Sequence, residues 1–246
     1  MFESIQHPES TVDVVAKAVK RAIFRGELRA GERLPAERKL AETFGVNRVT
    51  IRSALDRLTT AGLVSRRQGS GYRVLDYRRT GGPALLGSVA SLASEEGGLL
   101  EVVVDLMRMR RSLARALFEA LSERLDDVGR QGITAAVEAF AVVAANSNAT
   151  QEALIEADLG VLMALLDASQ SKVLALCFNP ILRVLNELPV LVEVMYAEPQ
   201  TNLTAYRLLL SLLNDPPADL SDRVLDLLAA RDRYVLQRLE RVLDAA

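Results

Sequence analysis

The 246-residue sequence has no tryptophan, one cysteine and one histidine, and only 4% of its residues are aromatic. A single thiol, Cys177, excludes an intrachain disulfide or a thiolate metal cluster. Cys177 sits in an apolar stretch and is expected to be a buried, inert side chain. The sole imidazole, His7, lies in the N-terminal segment and is expected at the surface without a role. No Ser-His-Asp set exists and Cys177 has no histidine in its own half of the chain, so no catalytic residue is assigned and an enzyme is not expected. With few aromatics, Leu, Val, Ile and Ala must fill the core, which favours helices packed on helices. No run of eighteen apolar residues is free of polar breaks, and MFESIQHPES lacks the basic start and apolar core of a signal peptide. The expectation is a cytoplasmic protein with no membrane span.

What is present is an asymmetry of charge. Residues 1–80 carry 16 Lys or Arg against 9 Asp or Glu, whereas residues 81–246 carry 14 against 23. A head of net charge +7 on a body of net charge −9 implies two domains with different partners, and a polyanion suits the head.

Periodicity fits this division. Apolar groups at Val12, Val15, Val19 and Ile23 predict a helix over 11–24 with Thr11 as its cap. Gly26, Gly31 and Pro35 break the pattern. A short helix follows over 36–44, then a turn at Gly45, then a helix from Asn47, a good cap, to about Thr60. Leu63–Arg67 and Gly71–Leu75 read as strands around Gln68-Gly69-Ser70, and DYRRTGGP, residues 76–83, reads as a linker. Beyond it only helical spacing appears, over about 84–94, 98–121, 123–128, 131–145, 150–168, 171–188, 189–196, 200–213 and 219–243. Pro189 either separates two helices or kinks one. The expected fold is mainly α: a winged helix-turn-helix in residues 1–78 and an all-helical antiparallel bundle in 79–246.

The third helix of the head presents Asn47, Arg48, Thr50 and Arg52 at its N-terminal end, the end by which a recognition helix enters the major groove. Arg forks onto guanine O6 and N7, while Thr and Asn reach bases or backbone. Arg38 on the preceding helix can read a base edge or hold a phosphate. Arg66, Arg67 and Arg73, with Gln68 and Gly69 at the tip, make a basic wing. Arg57 is better read as a solvated charge or an ion pair, and Val49 as either a thymine contact or a packing residue.

Residues 34–74 resemble the GntR family of bacterial transcription regulators. The family's start motif stands at Leu34 to Arg38, its Leu-Ala at Leu40-Ala41, its Gly-Val at Gly45-Val46, and its Ser-Arg-x-Thr-(Val/Leu)-Arg stretch at Asn47 to Arg52, with Asn47 in place of Ser. Ala54, Leu55, Leu58, Gly62 to Val64 and the wing's Gly69-x-Gly71 continue the match. The resemblance implies a homodimer on double-stranded DNA at a short pseudo-palindromic operator.

The helical remainder resembles, more diffusely, the effector domain of the FadR branch of that family, with anchors at Arg110, Leu113, Asp158 and Ala168-Ser169. Many members hold a metal there with one carboxylate and three histidines. Here Asp158 is retained, but Leu162, Tyr206 and Asp232 stand at the later ligand positions. No metal and no cofactor are expected. The same loss of histidines marks the fatty-acid-responsive member of the branch, which makes a long-chain acyl-CoA or fatty acid the leading effector. Arg110, Asp158, Asn179, Arg183, Tyr196 and Tyr206 are the expected effector-binding residues. A metal-free small organic acid, or no ligand at all, is the alternative. Arg111 and Arg231 are further candidates to meet an acidic head group, unless they pair with nearby carboxylates.

Overall fold

The computed structural model describes residues 10–67 and 71–245, in two compact units, Met1–Leu92 and Ala93–Ala246. Gln68, Gly69 and His7 lie outside the described residues.

In the first unit, helix α1 (Thr11–Phe24) is capped by Ser10, whose hydroxyl accepts from the Asp13 amide at 3.2 Å. Thr11 is therefore the first helical residue and not the cap: the residue before it is extended and carries the better-placed hydroxyl. Helix α2 (Glu37–Phe44) ends at Gly45, whose φ of 65° lets the chain turn into Val46. Helix α3 (Arg48–Thr60) begins at Asn47, which accepts from the Thr50 amide at 2.8 Å. Ile51, Ala54, Leu55 and Leu58 face inward and meet Val15, Val19 and Ile23 of α1.

Strands β1 (Val64–Arg67) and β2 (Gly71–Val74) pair antiparallel, Val64 opposite Val74. One feature escapes periodicity. Residues 31–34 lie along the outer edge of β2: Gly31 donates to Val74 O at 2.9 Å, Val74 to Glu32 O at 2.8 Å, and Leu34 to Tyr72 O at 2.9 Å. The Gly-rich segment expected to be a plain break is thus a third extended arm of the wing. The stretch expected as a linker is also ordered on the head. Asp76 caps a helical turn, α4 (Tyr77–Thr80), Tyr77 packs edge-on to Phe24 at 4.8 Å, and Leu85 of a following 3-10 turn joins the head's core. Glycine and charge marked this segment as exposed, but the Thr80 hydroxyl donates to Gly62 O at 2.7 Å and fastens it.

Helix α5 (Leu86–Glu96) leads into the second unit, which is built of α6 (Leu99–Arg124), α7 (Asp127–Ala145), α8 (Gln151–Ala168), α9 (Lys172–Asn186), α10 (Pro189–Tyr196), α11 (Pro199–Asn214) and α12 (Leu220–Asp244). The helix expected over 123–128 does not form. α6 runs on to Arg124, and Asp126 caps α7 by accepting from the Gly129 amide at 2.8 Å. Pro180 sits inside α9, while Pro189 opens α10 after a bend of 93°. The core is aliphatic around Phe118, Phe140 and Phe178.

Cys177 is exposed, against expectation. α9 turns Phe178, Ile181, Val184 and Leu185 inward, which leaves Val173, Leu176 and Cys177 outside. α7 is unusual for its openness: it is 19 residues long with a mean hydropathy of 1.2, enough by length and composition to cross a membrane, yet only 17% of it is buried.

Gly62 adopts φ +73°, and a Cβ there would lie 2.1 Å from Thr80 O. Gly62→Ala is expected to cost the head about 1–3 kcal/mol. Urea denaturation of the two proteins measures it, and equal midpoints would refute the close approach.

Candidate nucleic-acid interface and effector pocket

On the head, α3 projects its first turn outward because its inner stripe begins only at Ile51. Asn47, Arg48 and Arg52 are exposed, Val49 is 72% exposed, and Thr50 is half-buried. Asn47 commits its side-chain oxygen to the cap, leaving its NH₂ to face outward. Arg52 is forked onto Glu37, with Nη2 at 2.9 Å and Nε at 3.4 Å from the two carboxylate oxygens. The Arg52 hydrogen bond holds the Glu37 carboxyl below its ordinary value. Arg38 pairs with Glu42 at 3.7 Å.

Beside this turn runs a groove between the start of α2 and the wing, lined by Arg33, Arg38, Arg66, Arg67 and Tyr72. Arg66 lies over the Tyr72 ring at 5.9 Å. Arg33 was not among the expected contacts; its neighbours in sequence read as a break, and only the third arm of the wing brings it here. Arg73 is tied down instead, donating to Gly31 O at 2.5 Å. Arg57 forms an ion pair with Asp13, the structural role considered for it. Val49 is not packed into the core of the head.

In the second unit, two adjoining cavities of about 110 and 130 Å³ share Arg110, Asp158, Tyr206, Leu209, Val224 and Leu228. One side adds Met195, Asn202 and Arg231, and the other adds Ala114, Phe118, Leu162, Leu165 and Phe178. The polar centre is a chain of contacts between helices. Tyr196 donates to Asp158 at 3.0 Å, and Tyr206 donates to its other oxygen. Asp232, 2% exposed, sits between Arg110 at 2.5 Å and Arg111. Arg231 and Asn202 both donate to Met195 O, at 2.8 and 3.3 Å.

Burial pushes the Asp158 carboxyl up, against the pull of the two tyrosines and of Arg110 and Arg231. Burial, and then Asp158 itself, raises both tyrosines, so they stay as phenol donors. Burial lowers Arg231.

Four of the six expected effector residues meet here: Arg110, Asp158, Tyr196 and Tyr206. Asn179 and Arg183 do not. Both are exposed on α9 and line neither cavity, because the inward stripe through Phe178, Ile181 and Leu185 puts them on the opposite face. Asn202 and Arg231 take their places. Arg231 was considered only as one of several helix arginines. Asn202, four residues before Tyr206 on α11, was legible only as one turn of the same face.

Helices α2 and α3 with the three-armed wing define a winged helix-turn-helix DNA-binding domain. Residues 11–74 match the profile of the bacterial regulatory proteins of the gntR family. Residues 11–74 are thus similar to the DNA-binding domain of that family. It is 31% identical over 165 residues to a helix-turn-helix-type transcriptional regulator of Mycobacterium tuberculosis, covering 67% of this chain and 64% of that protein. It is 34% identical over 102 residues, 42% of each chain, to the fatty acid metabolism regulator protein of Shewanella halifaxensis. The chain spans 32 to 64% of the length of the leading curated relatives that it matches. Among solved structures, Lar, described as controlling the Listeria monocytogenes agr system, shares the fold: TM-score 0.59 at 16% identity, over 96% of this chain and 99% of that one.

Because burial raises the Asp158 carboxyl, the stability tied to it is full below its ordinary value of 3.8 and is lost as pH rises through the raised value. Asp158→Asn removes that loss. The stability of the variant relative to wild type should therefore increase as the pH rises from about 4 in urea titrations. A difference that stays flat over the same rise would refute the enclosed carboxylate.

Proposed function

We propose that this protein is a ligand-responsive transcription regulator that binds a pseudo-palindromic operator as a homodimer and releases or grips it according to an acid bound in the helical unit. The observation that carries the DNA reading is the exposed first turn of α3 beside the four-arginine groove. Arg48 and Arg52 are assigned to the major groove, with Arg38, Asn47 and Thr50 around them. Arg33, Arg66 and Arg67 are assigned to the flanking phosphates, with Gln68 and Gly69 at the wing tip.

The effector is assigned to the fatty acids and their CoA thioesters. Two things support this: the relative named as a regulator of fatty acid metabolism, and a cavity whose far lobe is lined by Ala114, Phe118, Leu162, Leu165 and Phe178. Each CH₂ buried there contributes about 0.8 kcal/mol. To act as an effector, the acid must bind the DNA-competent and incompetent dimers unequally.

The open face of α7 supports self-association. Val128, Gly132, Ala135, Ala139 and Val142 recur at alternating steps of four and three, and all are exposed. Val128 and Val142 lie seven residues to either side of Ala135, so an antiparallel copy of α7 centred there sets Val128 against Val142. A two-fold interface requires this self-complementarity.

Arg48→Ala should weaken binding to a selected operator by at least tenfold, the lower end of about 1–3 kcal/mol per lost base contact, in fluorescence anisotropy at fixed salt. Unchanged affinity would defeat the assignment of α3. Ala135→Glu places two carboxylates face to face and should yield monomers in analytical ultracentrifugation at micromolar concentration. A persistent dimer would place the interface elsewhere.

A further inference from the structure

We infer that Val49 is a specificity-determining residue whose side chain reads the 5-methyl group of one thymine in each operator half-site. The inference rests on the assignment of α3 to the major groove and adds a contact of a kind that the arginines cannot make. Among the described residues, the first unit exposes two large apolar side chains, Val14 at 49% and Val49 at 72%. Val49 stands on the outer side of α3: the buried Ile51, Ala54, Leu55 and Leu58 cluster about half a turn round the helix from it. Arg48 precedes it, Arg52 stands one turn on, and both are exposed.

Local structure gives no reason for a valine at this place. Valine is a weaker helix former than alanine or glutamate, and the N-terminal turn of a helix stabilises an acid. Helices α1 and α2 carry one there, Asp13 and Glu37, whereas α3 carries none. An acid in this turn would repel a polyanion beside Arg48 and Arg52. The turn is thus composed for a surface that is polyanionic and also offers an apolar group.

In the major groove that group is the thymine 5-methyl, the one apolar substituent on the base edges. Arginine and asparagine answer the donors and acceptors of the edges, and valine answers the methyl alone. Its β-branched side chain favours one rotamer in a helix, so its own methyls are placed before binding and little side-chain entropy is lost. The contact also rejects. Cytosine in the same place lacks the methyl and sets its N4 amino group against hydrocarbon, where the amino group loses water and gains no acceptor.

The test is fluorescence anisotropy of the full-length protein, at fixed salt, on an operator selected from random-sequence duplexes. Each thymine of a half-site is replaced in turn by deoxyuridine, which differs only in lacking the methyl. At one position the replacement should weaken binding about fourfold, the effect of one buried methyl, and about fifteenfold when made in both half-sites. Val49→Ala should abolish that difference, so that thymine and uracil bind equally, and Val49→Ile should keep it. Val49 is outside the core of the head, so both variants should fold as the wild type does. A selected operator with no thymine whose methyl matters would overturn the inference. So would a methyl effect that survives Val49→Ala, which would move the contact to another residue, such as the half-buried Thr50. Arg48→Ala separates this contact from the reading beneath it. If that variant binds weakly and no thymine responds to Val49, α3 still enters the groove and only the methyl contact fails. If it binds as tightly as wild type, the reading of α3 falls and the inference falls with it.

Discussion

The helical unit is organised around one buried anion. Asp232 on α12 lies between Arg110 and Arg111 of α6, and each of the three is largely withdrawn from water. Such an arrangement stabilises the fold only while it is complete, since a charge stranded in the interior costs several kcal/mol. It also reaches the cavity: Asp232 anchors Nη2 of Arg110, a residue that lines the cavity. Of the charged groups in this unit, Arg110, Asp158 and Arg231 line the cavity.

The head uses acid-base pairing in a looser way. Glu37 holds Arg52 and Glu42 holds Arg38, but these pairs are solvent-exposed, and exposed pairs contribute little to stability. Their value lies in placement: Glu37 at the start of α2 holds the exposed Arg52 guanidinium in one position. Asn47 works similarly: its oxygen terminates α3 and so fixes the orientation of its own NH₂ and of Arg48 beside it.

Much of this was legible in the sequence, for local reasons. The cap at Asn47, the turn at Gly45 and the inward stripe of α3 depend on neighbours within a few residues. So does the apolar spacing of most helices in the second unit. What was not legible depends on distant partners. Residues 31–34 become an arm of the wing only because β2 offers an unpaired edge. Residues 76–85 are ordered only because Gly62, Phe24 and the head's core receive them. Cys177, Asn179 and Arg183 were misplaced for one shared reason: α9 is apolar on more than one side, so its spacing does not reveal which side is buried. Packing chose Phe178, Ile181 and Leu185, and Leu176 was left outside with the polar residues. Asn202 had no sequence signal, since the cavity that it lines is formed by other helices as well.

Leu162, Tyr206 and Asp232, the positions at which the family resemblance expects ligands, serve packing and hydrogen bonding here. Leu162 lines the apolar lobe. Tyr206 donates its hydroxyl to Asp158, and Asp232 is engaged by two arginines. Asp158, with a phenol on each oxygen, becomes a structural acceptor that holds α10 and α11 to α8. The tyrosines remain protonated because ionising either would set a second anion against Asp158 in a desolvated site.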